Sequence, residues 1–181
     1  MRSYNGKRAL VTGGAAGIGR AMVLELTRRG ADVAFCDLGP PDDVLAAAEG
    51  HRGRAWFKQV DVADRAAMRK FVDEAIAELG AIDLLVNNAG IALGDRTFEE
   101  VTVDDLERIT GVNYWGVVHT TRLVYDHLLT RPRAAIVNIS SAQGILAAPY
   151  LVPYCTTKFA VRGFTDAVSY THLTLPTNRE V

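Results

Sequence analysis

Short apolar runs alternate with helical patterns along almost the whole chain, and a glycine-rich turn joins the first run to the first helix. Arg8-Ala9-Leu10-Val11-Thr12 reads as a buried strand that ends at the glycines. Ile18, Met22 and Leu26 then share one helical stripe, stopped by Gly30. Further strands are expected at 32–37, 55–60, 82–86 and 134–139. Helices are expected at about 42–49, 64–79, 102–129 and 154–168. Asp64 is a good N-cap with Gly80 as the matching stop, Thr102 with Asp105 makes a capping box, and Pro149 and Pro153 fence off the last helix. Strands separated by crossover helices predict an α/β, doubly wound parallel sheet.

At 181 residues the chain has material for one domain with a sizeable core. A net charge of −1 gives no electrostatic reason to expect nucleic acid or an anionic membrane as partner. No apolar run approaches a membrane span, and residues 1–7 lead straight into a strand instead of a secretion signal, so a cytoplasmic location is expected. Cys36 and Cys155 read as reduced thiols in a strand and a helix. His51, His119 and His127 show no spacing that suggests a metal, and none is expected.

Gly13, Gly17 and Gly19 stand between a strand and a helix, where backbone can approach a pyrophosphate and the helix N-terminus supplies free N–H groups. The spacing is Gly-x-x-x-Gly-x-Gly. Asp37 ends the next strand, where a carboxylate can bind both hydroxyls of an adenosine ribose and repel a 2′-phosphate; the competing reading is a turn cap before Gly39-Pro40. Ala16 and Leu38 occupy positions where readers of NADP often carry a basic residue, so NAD is favoured over NADP. Tyr154 and Lys158 lie four apart on one helical face, an arrangement in which the ammonium favours the phenolate and the phenol can exchange a proton with an alcohol or ketone.

From Gly6 to Val168 these motifs, in this order, resemble the short-chain dehydrogenase/reductase family in its short single-domain form. Thr12 to Gly19, including Ile18, is similar to the family's cofactor loop. Asp61-Val62 resembles its adenine-pocket pair, and Asn87-Asn88-Ala89-Gly90 the signature that ends its fourth strand. The resemblance implies a Rossmann-like fold and cofactor contacts from Thr12, Gly13, Gly17, Ile18, Gly19, Asp37, Asp61, Val62, Asn88, Ala89, Gly90, Tyr154 and Lys158. It also implies a catalytic set of Asn113, Ser141, Tyr154 and Lys158, with Ser140 the rival to Ser141. In that scheme Tyr154 is the acid/base, Lys158 holds the nicotinamide ribose, and Ser141 polarises the substrate oxygen. Asn113 holds a water that links Lys158 to solvent. The implied activity is NAD-dependent hydride transfer between a nicotinamide and a secondary alcohol or ketone. A homodimer or homotetramer is implied for the parent protein. Gln143, Leu146 and Pro149 are candidates for the substrate side. The alternatives are a non-enzymatic dinucleotide-binding relative or an inactive fragment, and, on the same scaffold, an epimerase or dehydratase, which the loop spacing disfavours.

After Val168 the resemblance stops, and the family's C-terminal strands are expected to be missing. Residues 1–168 are read as the dinucleotide-binding domain. Residues 169–181 are read as an aberrant tail without helical periodicity, worded like translated sequencing-adapter bases joined in frame. Loss of the following strand should leave the fifth strand's outer edge uncovered.

Overall fold

Strands and helices alternate through the computed structural model, which describes residues 4–172. In chain order they are β1 (Arg8–Thr12), α1 (Gly17–Arg28), β2 (Asp32–Asp37), α2 (Asp42–Ala48), β3 (Ala55–Gln59), α3 (Arg65–Leu79) and β4 (Leu84–Asn87), then α4 (Val103–Thr110), α5 (Gly116–Leu129), β5 (Ala135–Asn138) and α6 (Val152–His172). All the strand pairings are parallel, in the order β3-β2-β1-β4-β5. The strand order reverses between β1 and β4, so the loops after those two strands part and leave a crevice at their C-terminal ends.

Period-two alternation divides the core into two layers. Ala9, Val11, Val33, Phe35 and Val86 face the side covered by α1 and α2, with Val23 and Val44 among the buried partners. Leu10, Ala34, Cys36 and Leu85 face the other side, where Met68, Phe71 and Val72 of α3 and Val124 and Leu128 of α5 complete the layer. Asp64 caps α3 by accepting from the N–H groups of Ala66 and Ala67, and Gly80 ends that helix in the left-handed conformation.

The helix expected across 102–129 is interrupted. It starts at the Thr102–Asp105 capping box, but a single π turn, Gly111–Trp115, separates α4 from α5. Such a turn widens the helix by one residue and displaces the side chains it carries, and Asn113 lies buried within it.

The last helix departs from expectation at both ends. It begins at Val152, so Pro153 falls inside the first turn, where its missing N–H leaves no helix bond unmade. It also continues past Val168, because Ser169-Tyr170-Thr171-His172 contains no helix breaker before Pro176. The first four residues of the segment read as aberrant are therefore helical, and residues 173–181 lie outside the described residues. Among the described residues β5 is a sheet edge: none of its four residues is buried, and Val137 is 40% exposed.

Candidate active site

The crevice between the β1 and β4 loops opens into a cleft of about 700 Å³. Its floor and walls include Gly13, Gly17, Ile18, Asp37, Asp61, Val62, Asn88, Ala89, Gly90, Ser141, Tyr154 and Lys158. Residues far apart in sequence thus meet because the C-terminal ends of all five strands and the first turns of α1 and α6 converge there. Thr12, Gly19 and Asn113 do not line the cleft; they stand behind its wall.

The glycine loop is shaped by close approach. A Cβ on Gly19 would overlap the Gly13 carbonyl oxygen. Gly13 has φ +66° and sits against the Ala89 backbone. Gly17 also has a positive φ, +52°, but a Cβ there would meet nothing within 4 Å, so the backbone on that side is open. The first turn of α1 contains no acidic residue, and its N-cap, Ala16, has no side chain that could cap it. Its N–H groups therefore present an uncompensated positive end to the cleft. This combination fits a dinucleotide pyrophosphate.

Thr12 and Asn88 brace the loop from behind. The Thr12 hydroxyl accepts from the N–H groups of Asn88 and Ala89, each at 3.1 Å. The Asn88 amide returns two bonds, to the carbonyl oxygens of Thr12 (3.0 Å) and Gly13 (2.8 Å). Asp37 accepts from the N–H groups of Ala15, Leu38 and Gly39, so it both caps its own turn and ties β2 to the glycine loop. Asp61 accepts from the Ala63 N–H, and Val62 packs against Gly116.

On the opposite wall Lys158 is only 4% exposed. Its Nζ donates to the Ile139 carbonyl at 2.9 Å and lies 5.6 Å from the centre of the Tyr154 ring. Burial pushes the ammonium below the usual lysine range, since the charged form loses hydration. The same burial leaves its field on Tyr154 weakly screened. Ser141 caps a short 3-10 turn, Ala142–Gly144, and its hydroxyl donates to the Gln143 side chain. Ser140 points the other way and donates to the Lys158 carbonyl, so the two serines occupy different surroundings although both line the cleft. Asn113 spends both amide hydrogens inside the protein, on the Ile91 carbonyl and the Thr157 hydroxyl, while its oxygen accepts from the Ile91 N–H. No amide hydrogen of that side chain is left for a water, so a water held by Asn113 would need one of its other atoms.

A family model for the short chain dehydrogenase matches residues 7–174. The chain belongs to the short-chain dehydrogenase family. Its relatives in that family include L-2,3-butanediol dehydrogenase of Corynebacterium glutamicum, 39% identical over 170 residues that cover 90% of this chain and 65% of that protein. The 3-alpha-(or 20-beta)-hydroxysteroid dehydrogenase of Mycobacterium tuberculosis is 37% identical over 164 residues, 91% of this chain and 62% of that protein. Among solved structures, carveol dehydrogenase from Mycobacterium avium in complex with NAD has a TM-score of 0.88 at 28% identity, over 94% of this chain and 67% of that one. The chain spans 61–66% of the length of the curated relatives it matches.

Several contributors lack a sequence signal of their own. Ile139 acts through a backbone carbonyl, which no side-chain motif reveals. Ile91 and Thr157 matter through hydrogen bonds to the π turn, and a Thr before Lys158 looks like any small polar helix residue. The other residues weighed from the sequence lie elsewhere. His51 bonds the Thr27 hydroxyl, the His127 ring accepts from the Ile82 N–H, and His119 stacks on Trp115, which is 45% exposed. Leu146 is 74% exposed. Among the described residues no helix is long and apolar enough to cross a membrane.

Proposed function

We propose that this chain carries the cofactor-binding and proton-transfer half of an oxidoreductase acting between a nicotinamide dinucleotide and a secondary alcohol or ketone. One observation supports the reading above others: a single cleft is lined by an open glycine loop at an uncapped helix start and by a Tyr–Lys pair. The dinucleotide, when bound, supplies the hydride donor or acceptor. The pyrophosphate belongs at Gly13, Gly17 and the first turn of α1, and the adenosine ribose near Asp37, with Asp61 and Val62 beside the adenine. NAD is the preferred form, because the Asp37 carboxylate repels a 2′-phosphate and neither Ala16 nor Leu38 offers a compensating cation.

Tyr154 transfers the proton to or from the substrate oxygen. Lys158 stabilises the phenolate and holds the nicotinamide ribose hydroxyls. Ser141 donates to the substrate oxygen, exchanging Gln143 for that partner when substrate arrives. Asn113 acts as a strut that fixes the wall at Ile91. The substrate is a small molecule, and the parent protein is read as a cytoplasmic homodimer or homotetramer. We read residues 1–168 as the dinucleotide-binding domain.

Assaying the chain and its full-length parent for absorbance change at 340 nm against a panel of alcohols and ketones tests the activity. Tyr154→Phe is expected to lower turnover by ~100-fold or more while leaving dinucleotide affinity within about twofold. Near-normal turnover in that variant would remove Tyr154 from the mechanism. Dinucleotide binding with no turnover in either protein would favour a binding module instead.

A further inference from the structure

Thr157 is 2% exposed and sits one residue before Lys158 on α6. Its hydroxyl donates to the Tyr154 carbonyl at 2.8 Å and accepts from the Asn113 amide at 3.1 Å. The rest of the Asn113 amide grips Ile91 from both sides, at 2.8 Å to its N–H and 2.9 Å to its carbonyl oxygen. Ile91 follows Gly90 in the wall that leads out of β4, and both line the cleft. A Cβ built on Gly90 would lie 3.4 Å from the Asn113 oxygen and 3.5 Å from the Lys158 Nζ, so the strut and the ammonium flank the same backbone position. One buried hydroxyl therefore joins three separately supported parts: the β4 loop, the π turn and the helix that carries Tyr154 and Lys158.

We propose that Thr157 is a positioning residue that locks the Tyr154–Lys158 helix to the π turn and, through Asn113, to the cleft wall at Ile91. The inference rests on the oxidoreductase reading for its effect on turnover, though the lock itself does not. The hydroxyl has to give one hydrogen bond and accept one at the same time, which valine cannot do despite its matching shape. In Thr157→Val one Asn113 N–H is left buried without an acceptor. Serine keeps both functions and loses only a methyl group.

The test compares wild type, Thr157→Val and Thr157→Ser by amide hydrogen exchange and by turnover. In Thr157→Val, exchange at Ile91 and across 111–115 is expected to rise by ~10-fold or more, with α1, β2 and β3 unchanged and with serine restoring wild-type protection. In the 340 nm assay kcat is expected to fall by ~10-fold with the substrate KM within about twofold, and serine to recover it. Unchanged protection at Ile91 in the valine variant, or failure of serine to restore it, overturns the lock. A rise in KM alone, or an equal loss of kcat in the serine variant, overturns the positioning role. If wild type binds and turns over no dinucleotide, the oxidoreductase reading fails, and the exchange result still decides whether Thr157 forms the lock.

Discussion

The carboxylate of Asp37 already accepts three backbone N–H groups, so its turn-capping role and its proposed ribose contact coexist on one side chain. The structure shows the turn cap; the ribose contact is the proposal. Asp37→Ala is expected to raise NADPH affinity relative to NADH by ~10-fold, because the charge that opposes a 2′-phosphate is gone. It should also lower the melting temperature, since three amides lose their acceptor; titration with both cofactors checks the first effect, and an unchanged ratio contradicts the assignment. Cys36 offers a test of burial alone. Desolvation in β2 pushes its thiol up to about 12, whereas an unfolded chain releases the proton in the ordinary thiol range, about 8.5. The unfolded state therefore gains from rising pH first: this contribution to stability is intact below the ordinary range and is lost as pH climbs toward 12. Between pH 8 and 10.5 the wild type should lose about 2.5 kcal/mol more stability than Cys36→Ala, read from denaturant midpoints. Equal losses would place the Cys36 proton outside the linkage.

Element by element, the strands and their order along the chain were legible because each has one apolar run bounded by a glycine, a proline or a cap. Gly80, Asp64 and the Thr102–Asp105 box stand where the capping chemistry puts them. The π turn was not legible. Its residues, Gly111-Val112-Asn113-Tyr114-Trp115, hold one glycine and no proline, which does not mark an inserted residue, and that residue is held by tertiary bonds from Asn113 to Ile91 and Thr157. Local propensity cannot report a distortion whose support lies twenty-two and forty-four residues away. The start of α6 escaped for a simpler reason: Pro153 reads as a boundary from outside a helix and as a tolerated first-turn residue from inside one. A polar chain from Thr121 through Asn87 and Asn138 to Thr165 likewise joins α5, β4, β5 and α6, and follows from the parallel register that sets Asn87 beside Asn138. Neither asparagine announces that pairing in the sequence.

At the scale of the whole molecule, the proposed site lies where topology leaves a gap. The reversal of strand order between β1 and β4 opens the cleft, and every wall of it is tied to a neighbour: Asn88 to the glycine loop, Asp37 to Ala15, Lys158 to Ile139, and Asn113 to both Ile91 and Thr157. Such bracing holds the groups in place before a ligand binds, which is what a proton-transfer centre and a pyrophosphate cradle both need. The most direct measurement of this account is a titration of the folded chain with NADH, following nicotinamide fluorescence, beside Gly19→Ala. Saturable binding at one site per chain is expected, with a Kd of roughly 1 µM to 1 mM, and at least ~10-fold weaker binding when a methyl group at Gly19 forces the loop apart. A cooperatively folded chain that shows no saturable binding, or a Gly19→Ala variant that binds as tightly as wild type, would contradict the placement of a dinucleotide in this cleft.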